Sequence, residues 1–196
     1  YIESLNDNFL FNFKNGGILK DNHQKIFKSK ISKILKTKIN IILTSGAISA
    51  GKFDFIPNVI KKFKTSYYFK NVMIRPGKPV LFAKIRQKVF FGLPGNPISS
   101  AACFRFFVYP FIRNILDLKG EISIKAILKN DFEKKKNLTR FIKSELSTTL
   151  NGKLQVKLLP GQESFRINSF VKSNVWAVLP NTKSKFKKGQ ILECFI

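Results

Sequence analysis

The run Gly92-Leu93-Pro94-Gly95-Asn96-Pro97 follows the apolar stretch Val89-Phe90-Phe91 without a break. The apolar stretch reads as a strand, and the residues after it turn the chain into a helix. Asn is a favoured helix-capping residue, and proline suits the first helical position, where no N–H is needed. Gly95 permits a backbone angle that other residues resist. A tight strand-to-helix elbow is predicted at 92–97. The first N–H groups of such a helix lack an intrahelical acceptor and form a natural anion site. An ordinary capped helix accounts for the same residues, so the elbow alone does not assign a function.

Two further segments have the same character. Residues 39–43, Ile-Asn-Ile-Ile-Leu, read as a buried strand and run into Thr44-Ser45-Gly46-Ala47-Ile48-Ser49-Ala50-Gly51. Small hydroxylated residues and glycines after a strand let backbone N–H groups approach a phosphate or oxyanion. Asp54 follows, the only acidic residue between Asp21 and Asp117 in a stretch crowded with lysines. A carboxylate in that setting can hold a hard cation through oxygen; capping a helix or pairing with a lysine serves equally well. In the third segment, Arg75-Pro76-Gly77-Lys78-Pro79 sets two cations on a stiff turn between two predicted strands.

In this order and spacing the segments resemble the molybdopterin molybdotransferases of the MoeA and gephyrin C-terminal type. That family runs strand, Thr/Ser-Gly-Gly-x-Ser-x-Gly, x-x-Asp-Tyr/Phe, Lys/Arg-Pro-Gly-Lys-Pro and Gly-Leu-Pro-Gly-Asn-Pro. The matching residues here are 44–51, Asp54-Phe55, 75–79 and 92–97, and the resemblance extends over about residues 5–196. Ala47 replaces the second family glycine, Arg75 stands where many members have lysine, and Asn71 falls where some carry a further lysine. Arg75 keeps the charge and adds a planar fork suited to oxyanions.

The resemblance implies insertion of molybdate into adenylylated molybdopterin, with release of AMP and a divalent metal, Mg2+, assisting at Asp54. It implies catalytic roles for Asp54, Arg75 and Lys78. It implies pterin or anion contacts at Thr44, Ser45, Gly46, Ser49, Gly51, Pro76, Gly77, Gly92, Pro94, Gly95, Asn96, Arg140 and Ser164. For Ser45 and Ser49, donation to phosphate and closure of a local turn are equally consistent with the residues. A homodimer is expected for the full-length protein. Two neighbouring readings are a molybdopterin adenylyltransferase-like domain and a non-catalytic binding or scaffold module.

The α/β character follows from strand, helix, strand alternation up to Gly120, which predicts a three-layer domain over 1–120 with a mostly parallel sheet. A helix with Ile26, Phe27, Ile31, Ile34 and Leu35 at helical spacing is expected after an Asp21-Asn22 cap. A short helix at 57–63, a strand at 67–74, and strands at 80–85 and 89–92 paired across Arg86-Gln87 follow. A long helix from Pro97 to about Leu116 should be kinked by Pro110. From 121 to 196 short alternating runs are separated by Asn151-Gly152, Pro160-Gly161 and Lys188-Gly189, which predicts a small all-β, barrel-like domain. Trp176 reads as a core residue of one of its strands.

The chain has 36 Lys and Arg against 11 Asp and Glu, a formal charge of +25. The lysines are spread along its length and no nucleic-acid-binding signature accompanies them, so no nucleic-acid partner is expected. No apolar stretch is long enough to span a membrane. Cys103 and Cys194 show no metal spacing, which favours a reducing, cytoplasmic setting. The chain opens on Tyr1 and its only methionine is Met73. Residues 1–196 are therefore expected to be part of a longer product, with an N-terminally truncated sheet and no activity of their own.

Overall fold

The computed structural model of the chain describes residues 11–20, 23–48 and 55–196. The first part contains α1 (Gln24–Ile34), β1 (Ile41–Ser45), α2 (Ile56–Ile60), β2 (Thr65–Lys70), β3 (Ile74–Arg75), β4 (Leu81–Ile85) and β5 (Lys88–Leu93). It closes with α3 (Pro97–Cys103), a π-helical turn (Phe104–Val108) and α4 (Tyr109–Ile115). Four strands form a sheet in the order β1-β5-β4-β2. Successive strand residues point to opposite faces, and this divides the core. Phe90, Ile42, Ala83 and Ile85 pack with Phe27 and Ile31 of α1 and with Ile56, Val59 and Ile60 of α2. Phe91 and Leu93 pack with Ile98, Ala102, Phe104, Val108 and Ile112 of the long helix. The three layers are thus helix, sheet and helix, as expected.

The expectation of a mostly parallel sheet is corrected. Among the described residues only β1 and β5 run parallel; β4–β5 and β2–β4 are antiparallel. The cause is local. β4 and β5 form a hairpin through Arg86-Gln87, with Arg86 at φ 55°, and neighbours joined by so short a loop must be antiparallel. The strand expected at 67–74 is also interrupted: Asn71 adopts φ 62°, β2 ends at Lys70, and the chain resumes as β3 in a different sheet. The Asp21-Asn22 cap lies outside the described residues; His23 occupies the capping position of α1 without a side-chain capping bond. Ile26 is exposed, off the buried stripe of Phe27 and Ile31. The break expected at Pro110 takes the form of the π turn at 104–108. Proline has no N–H for the carbonyl four residues back, and a wider turn accommodates that loss.

The second part contains β6 (Ile124–Leu128), β7 (Phe132–Glu133), β8 (Thr139–Thr148), β9 (Leu154–Leu158), α5 (Ile167–Val171), β10 (Val175–Leu179), β11 (Lys185–Phe186) and β12 (Ile191–Phe195). The pairings β10-β12-β6-β9-β8, closed by β8–β10, make a five-stranded barrel. Closure leaves no free edge in that ring. Ala126, Leu128, Ile142, Val156, Ala177 and Leu179 fill its interior.

The two parts share a core. Phe141 and Trp176 point out of the barrel and join the cluster of the long helix. Phe106 stacks on Phe141 with centroids 3.8 Å apart and meets Trp176 edge-on at 6.2 Å. Trp176 is thus a core residue, but of the seam and not of the barrel interior. Arg105, 3% exposed, grips Glu121 through both Nη atoms at 2.7 and 2.8 Å, and its Nε donates to the Ile196 carbonyl at 2.6 Å. No helix among the described residues is long and apolar enough to cross a membrane.

Candidate functional site

The carboxyl ends of β1 and β5 lie side by side, with Thr44 opposite Gly92 and Ser45 opposite Leu93. Both strands then turn away through glycine. Gly46, at φ +91°, donates its N–H to the Leu93 carbonyl at 2.9 Å. A Cβ on Gly95 would lie 3.3 Å from the Gly46 Cα, so the two loops touch backbone to backbone. Ser45 Oγ donates to the Pro94 carbonyl at 3.1 Å, and Ser100 Oγ of α3 lies 3.5 Å from it. The Ser45 proton is therefore spent on joining the two loops.

Asn96 is the capping residue of α3 in extended conformation, and Pro97 occupies the first turn, as predicted. The Asn96 side chain makes no capping bond. Its Oδ1 and the Thr44 Oγ1 are buried without a hydrogen-bond partner. Buried polar atoms are rarely left unpaired, and these two lie where the two loops meet. Gly92 and Pro94 are buried; a Cβ on Gly92 would come within 2.8 Å of Ile48 Cγ2, so this glycine serves packing.

The 75–79 turn reaches the same helix from its other side. Gly77 has φ +107°, and a Cβ there would sit 2.4 Å from Cys103 Sγ and 3.6 Å from the Ser99 carbonyl. The turn is closed by Val80 N–H to the Gly77 carbonyl at 3.0 Å and by Val72 N–H to the Lys78 carbonyl at 2.9 Å. The Arg75–Pro76 peptide is cis. Pro76 and Gly77 are buried while Arg75 and Lys78 are exposed, so the turn is anchored by its middle and presents its cations. The first turn of α3 is the shared wall: Ser100 faces the elbow loop and Ser99 faces Gly77.

The barrel contributes the third side. β3 adds to β8 in parallel, and this register sets Arg75 beside Arg140. Arg140 is half-buried, lies 5.6 Å over the Phe132 ring, and has an Nε buried without a partner. Burial pushes its pKa down, and Arg75 adds to this by repulsion while Glu163 opposes it. A guanidinium keeps its proton at neutral pH all the same. Two cations are thus held together with one donor unused, an arrangement that an oxyanion would satisfy.

Ser164 lies half-buried in the loop after Pro160. What holds that loop is Lys143, 1% exposed, whose Nζ donates to the carbonyls of Gly161 at 2.9 Å, Glu163 at 3.2 Å and Arg166 at 3.2 Å. Burial lowers the Lys143 pKa, Glu163 raises it, and Arg140 and Arg166 lower it further. Sequence reasoning missed Lys143 and Ser100. A lysine in Ile142-Lys143-Ser144-Glu145 looks like a solvent-facing strand residue, and nothing local signals otherwise.

Asp54, Ser49 and Gly51 lie outside the described residues. Among the described residues no group of three or more His, Cys, Asp or Glu could hold a metal ion. The expected Mg2+ ligand, Asp54, is not among those residues. Cys103 and Cys194 are free and buried, and burial pushes their thiols up to about 12 and about 11.

Residues 2–114 match the family described as a probable molybdopterin binding domain, and residues 125–194 match the MoeA C-terminal region (domain IV). The chain is 31% identical over 162 residues to a molybdopterin molybdenumtransferase of Staphylococcus aureus, covering 80% of this chain and 38% of that protein. It is 36% identical over 157 residues to the Synechocystis sp. protein of the same name, covering 79% of this chain and 37% of the other. The chain thus spans well under half the length of these relatives. Its fold is similar to the molybdopterin biosynthesis moeA protein of Pyrococcus horikoshii, with TM-score 0.72 and 22% identity over 98% of this chain and 44% of that one. A molybdenum cofactor biosynthesis protein from Pyrococcus furiosus gives TM-score 0.71 and 19% identity over 98% of this chain and 62% of the other.

Proposed function

The chain belongs to the molybdopterin-binding domain family, in the form that carries a MoeA C-terminal region, and from that premise we propose that it forms the pterin- and molybdate-binding part of a molybdopterin molybdenumtransferase. The substrates are adenylylated molybdopterin and molybdate, and the products are AMP and the molybdenum cofactor. The observation that carries this reading is the pairing of Arg75 with Arg140, brought from two separate parts of the chain onto adjacent strands. Two adjacent guanidiniums match the two negative charges of a tetrahedral oxyanion. Ser164 is assigned to the same anion on its motif position, next to Glu163, which acts electrostatically on Arg140. The elbow at Thr44, Gly46, Gly95 and Asn96 is assigned to the phosphate groups of the pterin, because N–H groups at a helix start and unpaired polar atoms suit them; Ser45 serves it by joining the two loops.

In this reading the chain's residues bind and orient; molybdate supplies the metal to the pterin dithiolene. Holding both anions in one crevice gives the reaction its proximity. Lys78 reaches the pterin phosphates as an exposed point charge. Its loss should therefore be mild: Lys78→Ala is expected to weaken binding of adenylylated pterin by about two- to fivefold, or ~1 kcal/mol or less. Titration of the variant checks this, and an unchanged affinity removes Lys78 from the site. Asp54 is proposed on its motif position as the carboxylate toward Mg2+. A homodimer and a cytoplasmic setting are proposed for the full-length protein, and residues 1–196 alone are proposed to bind without turnover.

The deciding experiment uses the full-length protein with adenylylated molybdopterin, following AMP release as molybdate is titrated. Saturable, molybdate-dependent release is expected. Release independent of molybdate, together with no measurable molybdate binding, would overturn the reading.

A further inference from the structure

We infer that Lys143 is a positioning residue that locks the 161–166 loop, and with it Ser164, beside Arg140. The inference rests on the proposed function for its link to molybdate, but its structural half stands alone. Three carbonyls of one short loop, those of Gly161, Glu163 and Arg166, turn toward the protein interior. A loop does this only where donors wait for it. An ammonium has three protons and no acceptor, so it answers three carbonyls with nothing left over. The lock is doubled by main-chain contacts. Gln162 Nε2 donates to the carbonyls of Lys143 at 2.8 Å and Leu159 at 2.7 Å, and Gln162 Oε1 accepts from the Lys143 N–H at 3.0 Å. The one Ser169 hydroxyl proton lies within reach of two carbonyls, Gly161 with Oγ at 2.6 Å and Arg166 at 3.0 Å, which ties the loop to α5.

The loop is held at 161, 162, 163 and 166, yet the Ser164 hydroxyl makes no hydrogen bond among the described residues. Everything around Ser164 is fixed and Ser164 itself is left available. Lys143 and Arg140 stand three positions apart on β8, one anchoring the loop and the other beside Arg75. That spacing puts their side chains on opposite faces of the strand, and Glu163 of the loop lies within electrostatic reach of both charges. A residue that serves only the barrel's stability would not need to be charged at 1% exposure, since an apolar chain packs there at lower desolvation cost.

The test compares Lys143→Met, Lys143→Arg and Ser164→Ala in the full-length protein. Readouts are amide hydrogen exchange over 161–166 and the KM for molybdate and for adenylylated molybdopterin. Lys143→Met should speed exchange across 161–166 and raise the molybdate KM by about tenfold, the scale at which outer-shell supports act. The pterin KM should stay within about twofold, and Lys143→Arg, with five donors, should restore both readouts. Unchanged exchange in Lys143→Met overturns the lock. A raised molybdate KM in Ser164→Ala but not in Lys143→Met overturns the positioning role, whatever the exchange. If neither variant moves the molybdate KM, the assignment of Ser164 to molybdate has failed and the link to molybdate falls with it. Should Lys143→Met not fold, Gln162→Ala opens the same loop from the other side, and the same outcomes decide.

Discussion

Replacing Arg140 by methionine in the full-length protein should lower molybdate-dependent AMP release by about 100-fold, within the 1.5–3 kcal/mol that a charge-assisted contact supplies. The melting temperature should stay the same or rise. Both halves follow from one observation. Arg140 is half-buried, is pushed down in pKa by burial and by Arg75 beside it, and leaves its Nε without a partner. Folding is therefore opposed by this charge, with Glu163 offsetting part of the opposition. Methionine removes the desolvation and the repulsion and retains the packing over Phe132. A charge held where it costs stability is what a binding site requires. Steady-state turnover and thermal melts on the same preparations check it. A variant that melts well below the parent would make Arg140 a structural residue.

Gly77→Ala should destabilise the protein by about 2–4 kcal/mol, from a backbone angle that disfavours alanine and a core with no room for its methyl. The φ of +107° and the 2.4 Å approach to Cys103 Sγ supply these two terms. They are separable. Cys103→Ala removes the sulfur, so the double variant should recover the packing part and keep about 1 kcal/mol of the backbone part. Chemical denaturation of the two singles and the double closes the cycle. Strictly additive losses would show that the turn and α3 do not meet as described. Loss of Gly77 should also weaken molybdate binding, because Arg75 stands two residues away on the same turn.

The elbow was legible because its signals are local. Asn96 and Pro97 specify their own backbone, and the structure has the cap position and the first turn where they fall; Gly95 does not take the left-handed angle expected of it and serves instead the close approach to Gly46. The barrel was legible for a similar reason, since Gly152, Gly161 and Gly189 all adopt positive φ at the predicted turns. The parallel sheet was misjudged although the hairpin at Arg86-Gln87 was visible. Alternation of strands and helices set the expectation, but two of the three pairings in this sheet are made without a crossover helix. The Arg75–Arg140 pair could not be read by spacing, because it depends on a two-residue strand leaving one sheet for another. Lys143 was hidden by its own chemistry. Lysine usually means solvent, and only the fold reveals three carbonyls aimed at it. Asp54, the most suggestive single acid in the sequence, lies outside the described residues and keeps its role as a proposal.

The pairing of β3 with β8 has a bearing on how such proteins can be recombined. The family boundary falls between 114 and 125, and a chimera cut there would look conservative on paper. Yet β3, from before that cut, is hydrogen-bonded to a strand from after it, through Thr139 N–H to the Met73 carbonyl at 3.1 Å. Swapping barrels between relatives would join an arginine from one parent to an arginine from another across a register neither parent had tested. A swap at that boundary therefore has to carry the 71–79 turn with the barrel, and has to match the Phe106–Phe141 stack and the Gly77–Cys103 contact as well.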